Sequence, residues 1–157
     1  MSLTPRILAF GGSLRRESFN QKLVALAAAG ARQAGAEVTL VELRSFELPL
    51  FDEDLERASG LPAGAKRFKE LMKQSHGFLI SSPEYNSSIT AALKNALDWA
   101  SRAEPDETAL AAFTGKVCGL MSASPGALGG LRGLVTVRSI LANIQVLVLP
   151  EQVAIGR

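Results

Sequence analysis

Residues 77–101 read GFLISSPEYNSSITAALKNALDWAS. Gly77–Ser81 is a short, uninterrupted apolar run of the kind that fills a buried strand. From 88 to 100, Ile89, Ala92, Leu93, Ala96, Leu97 and Ala100 recur at helical spacing, so a strong amphipathic helix is predicted there. Between the two lies a Pro-Glu-Tyr-Asn turn whose Glu and Asn have no place in a core. Such a turn, at the end of a buried strand, is built to hold something.

The same strand–loop–helix unit recurs in both directions along the chain. A strand over 6–10 (RILAF) ends in Gly11-Gly12, and a helix over 20–33 carries Leu23, Leu26, Ala27 and Gly30 on one face. Gly35 ends that helix, and 37–43 (EVTLVEL) alternates as a strand does. A polar stretch over 44–60, with Pro49 and an acidic cluster, reads as loop. Pro62 opens a further helix with Ala65, Phe68 and Met72 along one side. Beyond the 77–101 unit, 116–123 (KVCGLMSA) is a fourth strand, 124–130 a Gly-rich loop, 130–142 a helix and 146–149 a fifth strand. The order β-α-β-α-β-α-β-α-β argues for an α/β fold with one parallel sheet and helices on both faces. Right-handed crossovers restrict its topology, and strand order 2-1-3-4-5 is expected. That order calls for another helix beside the first to cover the second face. The C-terminal helix therefore reads as missing from residues 1–157, or its place as taken by a partner chain.

The whole chain narrows the function classes. Its 157 residues suit a single domain over 1–157. Apolar residues make up 47% of it, which argues against disorder. With a net charge of +2 and no basic stripe interleaved with aromatics, no nucleic-acid partner is expected. No apolar run approaches the roughly 20 residues of a membrane span. The opening MSLTPRILAFGG lacks the layout of a signal peptide. The single Cys118 fits a reducing cytoplasm, and one Cys with one His76 makes a transition-metal site improbable. The acidic run 52–56 (DEDLE) reads as a solvated loop.

Ligands of such sheets bind beyond the carboxyl ends of the strands, near the switch in strand order. Three unusual loops fall there: 11–20, 82–88 and 123–130. The first, GGSLRRESFN, joins a strand to a helix N-terminus, where unpaired N–H groups and the helix dipole favour anions. Ser13, Ser18 and Asn20 add short hydrogen-bonding groups, while Arg15 and Arg16 add charge suited to phosphate. A phosphate cradle and an ordinary helix cap on Ser18 or Asn20 both fit this loop alone. The glycines and lysine of a P-loop are absent, as are those of a dinucleotide fingerprint and of a nucleophile elbow. Glu42 then reads as an ordinary strand-end charge.

Taken together, GGSLRRESFN and, about 70 residues on, SPEYNSSITAALKNALDW closely resemble the NAD(P)H-dependent FMN reductases, over residues 7–151. This family includes quinone, chromate and azo-dye reductases. The resemblance implies a flavodoxin-like three-layer sandwich and bound FMN, with NADPH or NADH as co-substrate. It implies that Ser13, Arg15, Ser18 and Asn20 hold the FMN phosphate. Pro83, Glu84, Tyr85 and Asn86 would line the isoalloxazine ring, and Ser124 and Gly126 would contact ring or ribityl chain from the other side. Arg132 and Glu151 match positions that join Glu84 in a charged network between subunits in some members, although Val135 stands where some carry tyrosine. A homodimer or homotetramer is implied, with apolar surface around helices 88–100 and 130–142.

The chemistry of the turn agrees. Pro83 ends the strand without needing a donor, and Tyr85 offers a flat face. Glu84 and Asn86 would tie the turn so that backbone N–H groups face the negative charge that reduction puts on the flavin. The cofactor carries the redox step, so no catalytic triad or carboxylate pair is needed. The expected activity is a ping-pong transfer from NAD(P)H through FMN to a small acceptor: a quinone, an azo or nitro compound, chromate or free flavin. Two alternatives remain, a non-catalytic flavin-binding carrier or sensor and a flavin-free NAD-dependent dehydrogenase. Trp99 and Cys118 read as core.

Overall fold

A computed structural model describes residues 4–157. The elements are β1 (Arg6–Gly11), α1 (Phe19–Gln33), β2 (Glu37–Glu42), a 3-10 turn (Leu43–Phe46), α2 (Glu53–Ser59), α3 (Ala63–Gln74), β3 (Gly77–Ser81), α4 (Ala91–Ala100), β4 (Val117–Ala123), α5 (Leu131–Asn143) and β5 (Leu147–Ile155). The five strands form one parallel sheet in the order β2-β1-β3-β4-β5. This is the flavodoxin-like arrangement expected. The order reverses between β1 and β3, so the loops after these strands splay apart and leave a crevice.

Side-chain alternation divides the sheet between two layers. Leu8, Phe10, Phe78, Ile80, Cys118 and Leu120 point to one side, against Phe68 and Met72 of α3, Leu93 and Leu97 of α4, and Leu134, Val137 and Leu141 of α5. Phe10 meets Phe68 edge-on at 5.3 Å. Ala9 points the other way, onto Val24 and Ala28 of α1. Val38 and Leu79 of the sheet pack against the same cluster. An apolar groove of about 330 Å³ runs between α1 and β5, with Leu26 and Ile155 on its walls, so the α1 face is open beside β5. Trp99 is fully buried, its Nε1–H donating to Pro49 O at 2.8 Å. Cys118 is buried as well, and burial pushes its thiol up to about 12. Among the described residues, no helix is long and apolar enough to cross a membrane.

Three elements differ from the reading of the sequence. The stretch 44–60 is not all loop. Asp52 caps α2 by accepting from Asp54 N–H at 2.8 Å, and acidic residues fill its first turn, where the helix dipole favours them. None of its residues is buried, so no apolar period announced it. Helix α4 starts at Ala91 rather than at 88, because Ser88 closes a tight turn and Thr90 is the cap. Strand β5 continues through Pro150 to Ile155. It lies at the sheet edge, where a residue without an N–H is tolerated.

Candidate functional site

Beyond the carboxyl ends of β1, β3 and β4 lies a cleft of about 350 Å³. Ser13, Arg15, Ser18, Phe19 and Asn20 form one wall, Pro83, Glu84 and Tyr85 another, and Ala123, Ser124 and Pro125 a third. The three loops singled out in the sequence thus meet in one place. Asn86 and Gly126 do not line the cleft. Asn86 instead turns the chain at φ 52°, and Gly126 donates its N–H to Ser124 Oγ at 3.3 Å. Phe19, Ala123 and Pro125 of the same loops, not named individually from the sequence, also line the cleft.

The first wall has spare donors. Ser18 caps α1, its Oγ accepting from Asn20 N–H at 3.2 Å, and Ser13 Oγ accepts from Arg15 N–H at 3.2 Å. Each hydroxyl is fixed in place as an acceptor and keeps its own proton to donate. Both serines are buried. The guanidinium of Arg15 lies 5.8 Å over the Phe19 ring, while nearby Glu17 is paired with Lys22 at 2.9 Å. The result is a helix N-terminus with two hydroxyls and a cation lining the cleft, which is a set of donors for an anion.

The second wall is held by close contacts. Gly12 N–H donates to Ser81 O at 2.8 Å, and Thr90 Oγ1 donates to Gly12 O while accepting from Leu93 N–H. A Cβ on Gly12 would lie 3.0 Å from Leu93 and 3.3 Å from Pro83, so the first loop rests closely on the start of α4. Tyr85 and Ser88 exchange backbone hydrogen bonds of 2.9 and 3.1 Å around Asn86 and Ser87, both at positive φ. That is a two-residue turn of the hairpin type. It leaves Tyr85 exposed at the rim.

Glu84 borders the cleft but spends its carboxylate elsewhere. Oε2 accepts from Gly133 N–H at 3.0 Å and Oε1 pairs with Arg132 at 3.0 Å. The Gly133 N–H and the Arg132 charge hold this carboxyl below its usual range. Helix α5 has Gly130 at its N-cap and no side-chain cap of its own, so Glu84 caps it from another element. The Glu84–Arg132 pair, which the resemblance places in a network between subunits in some family members, is made here within the chain. Glu151 lies exposed on β5. The hydrophobic tip of α5 and its lead-in expose Leu128, Leu131 and Val135.

Comparisons with known proteins bear on the family and the fold. The model of the family described as NADPH-dependent FMN reductase matches residues 5–157. A quinone reductase of Escherichia coli (strain K12) is 33% identical over 156 residues, covering 99% of this chain and 79% of the relative. An NAD(P)H-dependent FMN reductase of Pseudomonas aeruginosa is 35% identical over 146 residues, covering 93% and 74%. Among solved structures, a flavoenzyme NAD(P)H:(acceptor) oxidoreductase from Paracoccus denitrificans superposes with a TM-score of 0.79 at 26% identity, covering 95% of this chain and 78% of that one.

Proposed function

The chain belongs to the NADPH-dependent FMN reductase family, and from that premise we propose that it transfers reducing equivalents from NAD(P)H through bound FMN to a small acceptor. Quinones, azo or nitro compounds, chromate and free flavin are the acceptor class. The observation that carries this reading is the pair of unspent hydroxyl protons on Ser13 and Ser18, beside Arg15, at the N-terminus of α1. A phosphate monoester uses just such donors. The Pro83–Tyr85 turn and the Ala123–Pro125 wall of the same cleft would hold the planar ring.

When bound, FMN supplies the two-electron chemistry. The chain's own residues bind and orient. Ser13, Arg15 and Ser18 hold the phosphate end. The turn and Ser124 would flank the ring end. The carboxylate of Glu84 is committed to α5, so no free acid in the cleft competes with the dinucleotide. With Tyr85 exposed at the rim of the cleft, a bound ring would be reachable by NAD(P)H and acceptor in turn, which is the ping-pong order proposed. The exposed Leu128, Leu131 and Val135 support self-association through the start of α5. A homodimer or homotetramer working in the cytoplasm is the corresponding proposal.

The test is to reconstitute with FMN, desalt, and record the visible spectrum before and after anaerobic NADPH. A retained yellow flavin that bleaches within seconds, with parallel double-reciprocal lines in steady state, is the expected result. Retained flavin that NADPH leaves oxidised makes the protein a carrier or sensor. A colourless protein overturns the FMN reading.

A further inference from the structure

We infer that Asn20, assigned to the FMN phosphate by resemblance, is instead a positioning residue that replaces a missing strand partner and sets the width of the flavin cleft. The role rests on the flavin reading above. Pro83 takes the chain away from the sheet just after β3. The last β3–β4 contact of the ladder is Ser82 N–H to Met121 O at 2.8 Å. Ala123, two residues further along β4, points its N–H and C=O the same way as Met121. No β3 residue is left to meet them. The Asn20 side chain does so: its Oδ1 accepts from Ala123 N–H at 3.0 Å and its Nδ2–H donates to Ala123 O at 2.8 Å. A side-chain amide thus stands in for the absent peptide group.

The count of hydrogen bonds decides between the roles. The Oδ1 atom also accepts from Ser81 Oγ at 2.8 Å, which fills both of its lone pairs. One N–H of the amide is all that remains for a ligand. Asn20 is 4% exposed, and Ser81 is fully buried. Asn20 therefore brackets the ends of β3 and β4 from the first turn of α1. It ties the wall that carries Ser13 and Ser18 to the wall that carries Ala123 and Ser124. The half-buried backbone pair of Ala123, left without this bracket, must turn to water or other partners, which displaces the second wall.

Riboflavin, which lacks the phosphate, separates the two roles. Dissociation constants for FMN and riboflavin are measured by flavin fluorescence for wild type, Asn20→Ala, Ser81→Ala and Arg15→Ala. Asn20→Ala should weaken both flavins by the same factor, about tenfold, as befits one or more lost hydrogen bonds. It should also shift the visible band and the midpoint potential of bound FMN, which loss of global stability alone does not move. Arg15→Ala should weaken FMN and leave riboflavin within about twofold. Ser81→Ala, whose hydroxyl reaches the cleft only through Asn20, should weaken both flavins equally but less. It carries the test alone if Asn20→Ala does not fold. Selective loss of FMN in Asn20→Ala, or no change with either flavin, overturns the positioning role. Wild type that binds neither flavin overturns the flavin reading, and this role with it.

Discussion

Ser87 sits at φ 65° beside Asn86 at φ 52°, in the turn that walls the cleft. Asparagine tolerates the left-handed region because its side chain can satisfy its own backbone, but serine does so less well. Strain held in a binding loop is stable only because the surroundings fix it, here the Tyr85–Ser88 hydrogen bonds and the α5 contact of Glu84. Ser87→Gly should raise the stability of the flavin-free protein by about 0.5–1 kcal/mol, read as a higher urea midpoint. An unchanged or lower midpoint means that the turn carries no such strain. Gly130 shows the opposite case. It has φ 90°, and a Cβ there would lie 1.9 Å from Ser122 Oγ and 2.9 Å from Ser122 Cβ. Gly130→Ala should cost about 2–4 kcal/mol in the same titration, since both the backbone and the packing object.

Between elements, the turn and α5 are joined through Glu84. The carboxylate satisfies an N–H in the first turn of α5 and meets the positive end of its dipole. Glu84→Ala should cost about 1–2 kcal/mol, and Glu84→Gln, which keeps an acceptor for Gly133, should cost less. The folded-state carboxyl lies below its unfolded value, so its share of stability is present above that value and is lost as pH falls. Glu84→Gln should therefore show a weaker acid dependence of the urea midpoint than wild type; identical slopes would remove the cap from the account. This cap also marks the limit of what the sequence discloses. Apolar periods located all five strands and four of the helices, because burial imposes them locally. They said nothing of α2, whose stability comes from Asp52 and exposed charges. Nor did they show that Ser88 closes a turn and leaves the capping to Thr90. The loop motifs pointed to the cleft, which Glu84 and Asn20 do line, yet they did not disclose which backbone groups these two side chains hold. Their partners, Gly133 and Ala123, lie 49 and 103 residues away, and only the folded sheet brings them together.

Across the whole molecule, the cleft and a buried charge cluster occupy opposite ends of the sheet. The cleft lies past Ala123, at the carboxyl end of β4, while the segment that leads into Val117, at its other end, is pinned by charge. Lys69 of α3 is 2% exposed and donates to Arg102 O at 2.6 Å and to Glu107. Glu107 also accepts from Lys73 at 2.8 Å and from Glu104 N–H at 3.0 Å. These lysines hold the Glu107 carboxyl down at about 2. A buried ammonium without its carboxylate is costly, so Glu107→Ala should lose about 3–5 kcal/mol. The sign for pH follows from the depressed value. Glu107 contributes stability that is complete above the unfolded pKa, about 4.3, and that is lost as pH falls toward about 2. Urea midpoints measured across that window should fall steeply for wild type and more gently for Glu107→Ala. FMN affinity at neutral pH should stay within about twofold in the variant, because the cluster and the cleft share no residue and distant sites act independently. A large loss of FMN affinity in folded Glu107→Ala protein would mean that the two ends are coupled through β4, and the separation would have to be abandoned.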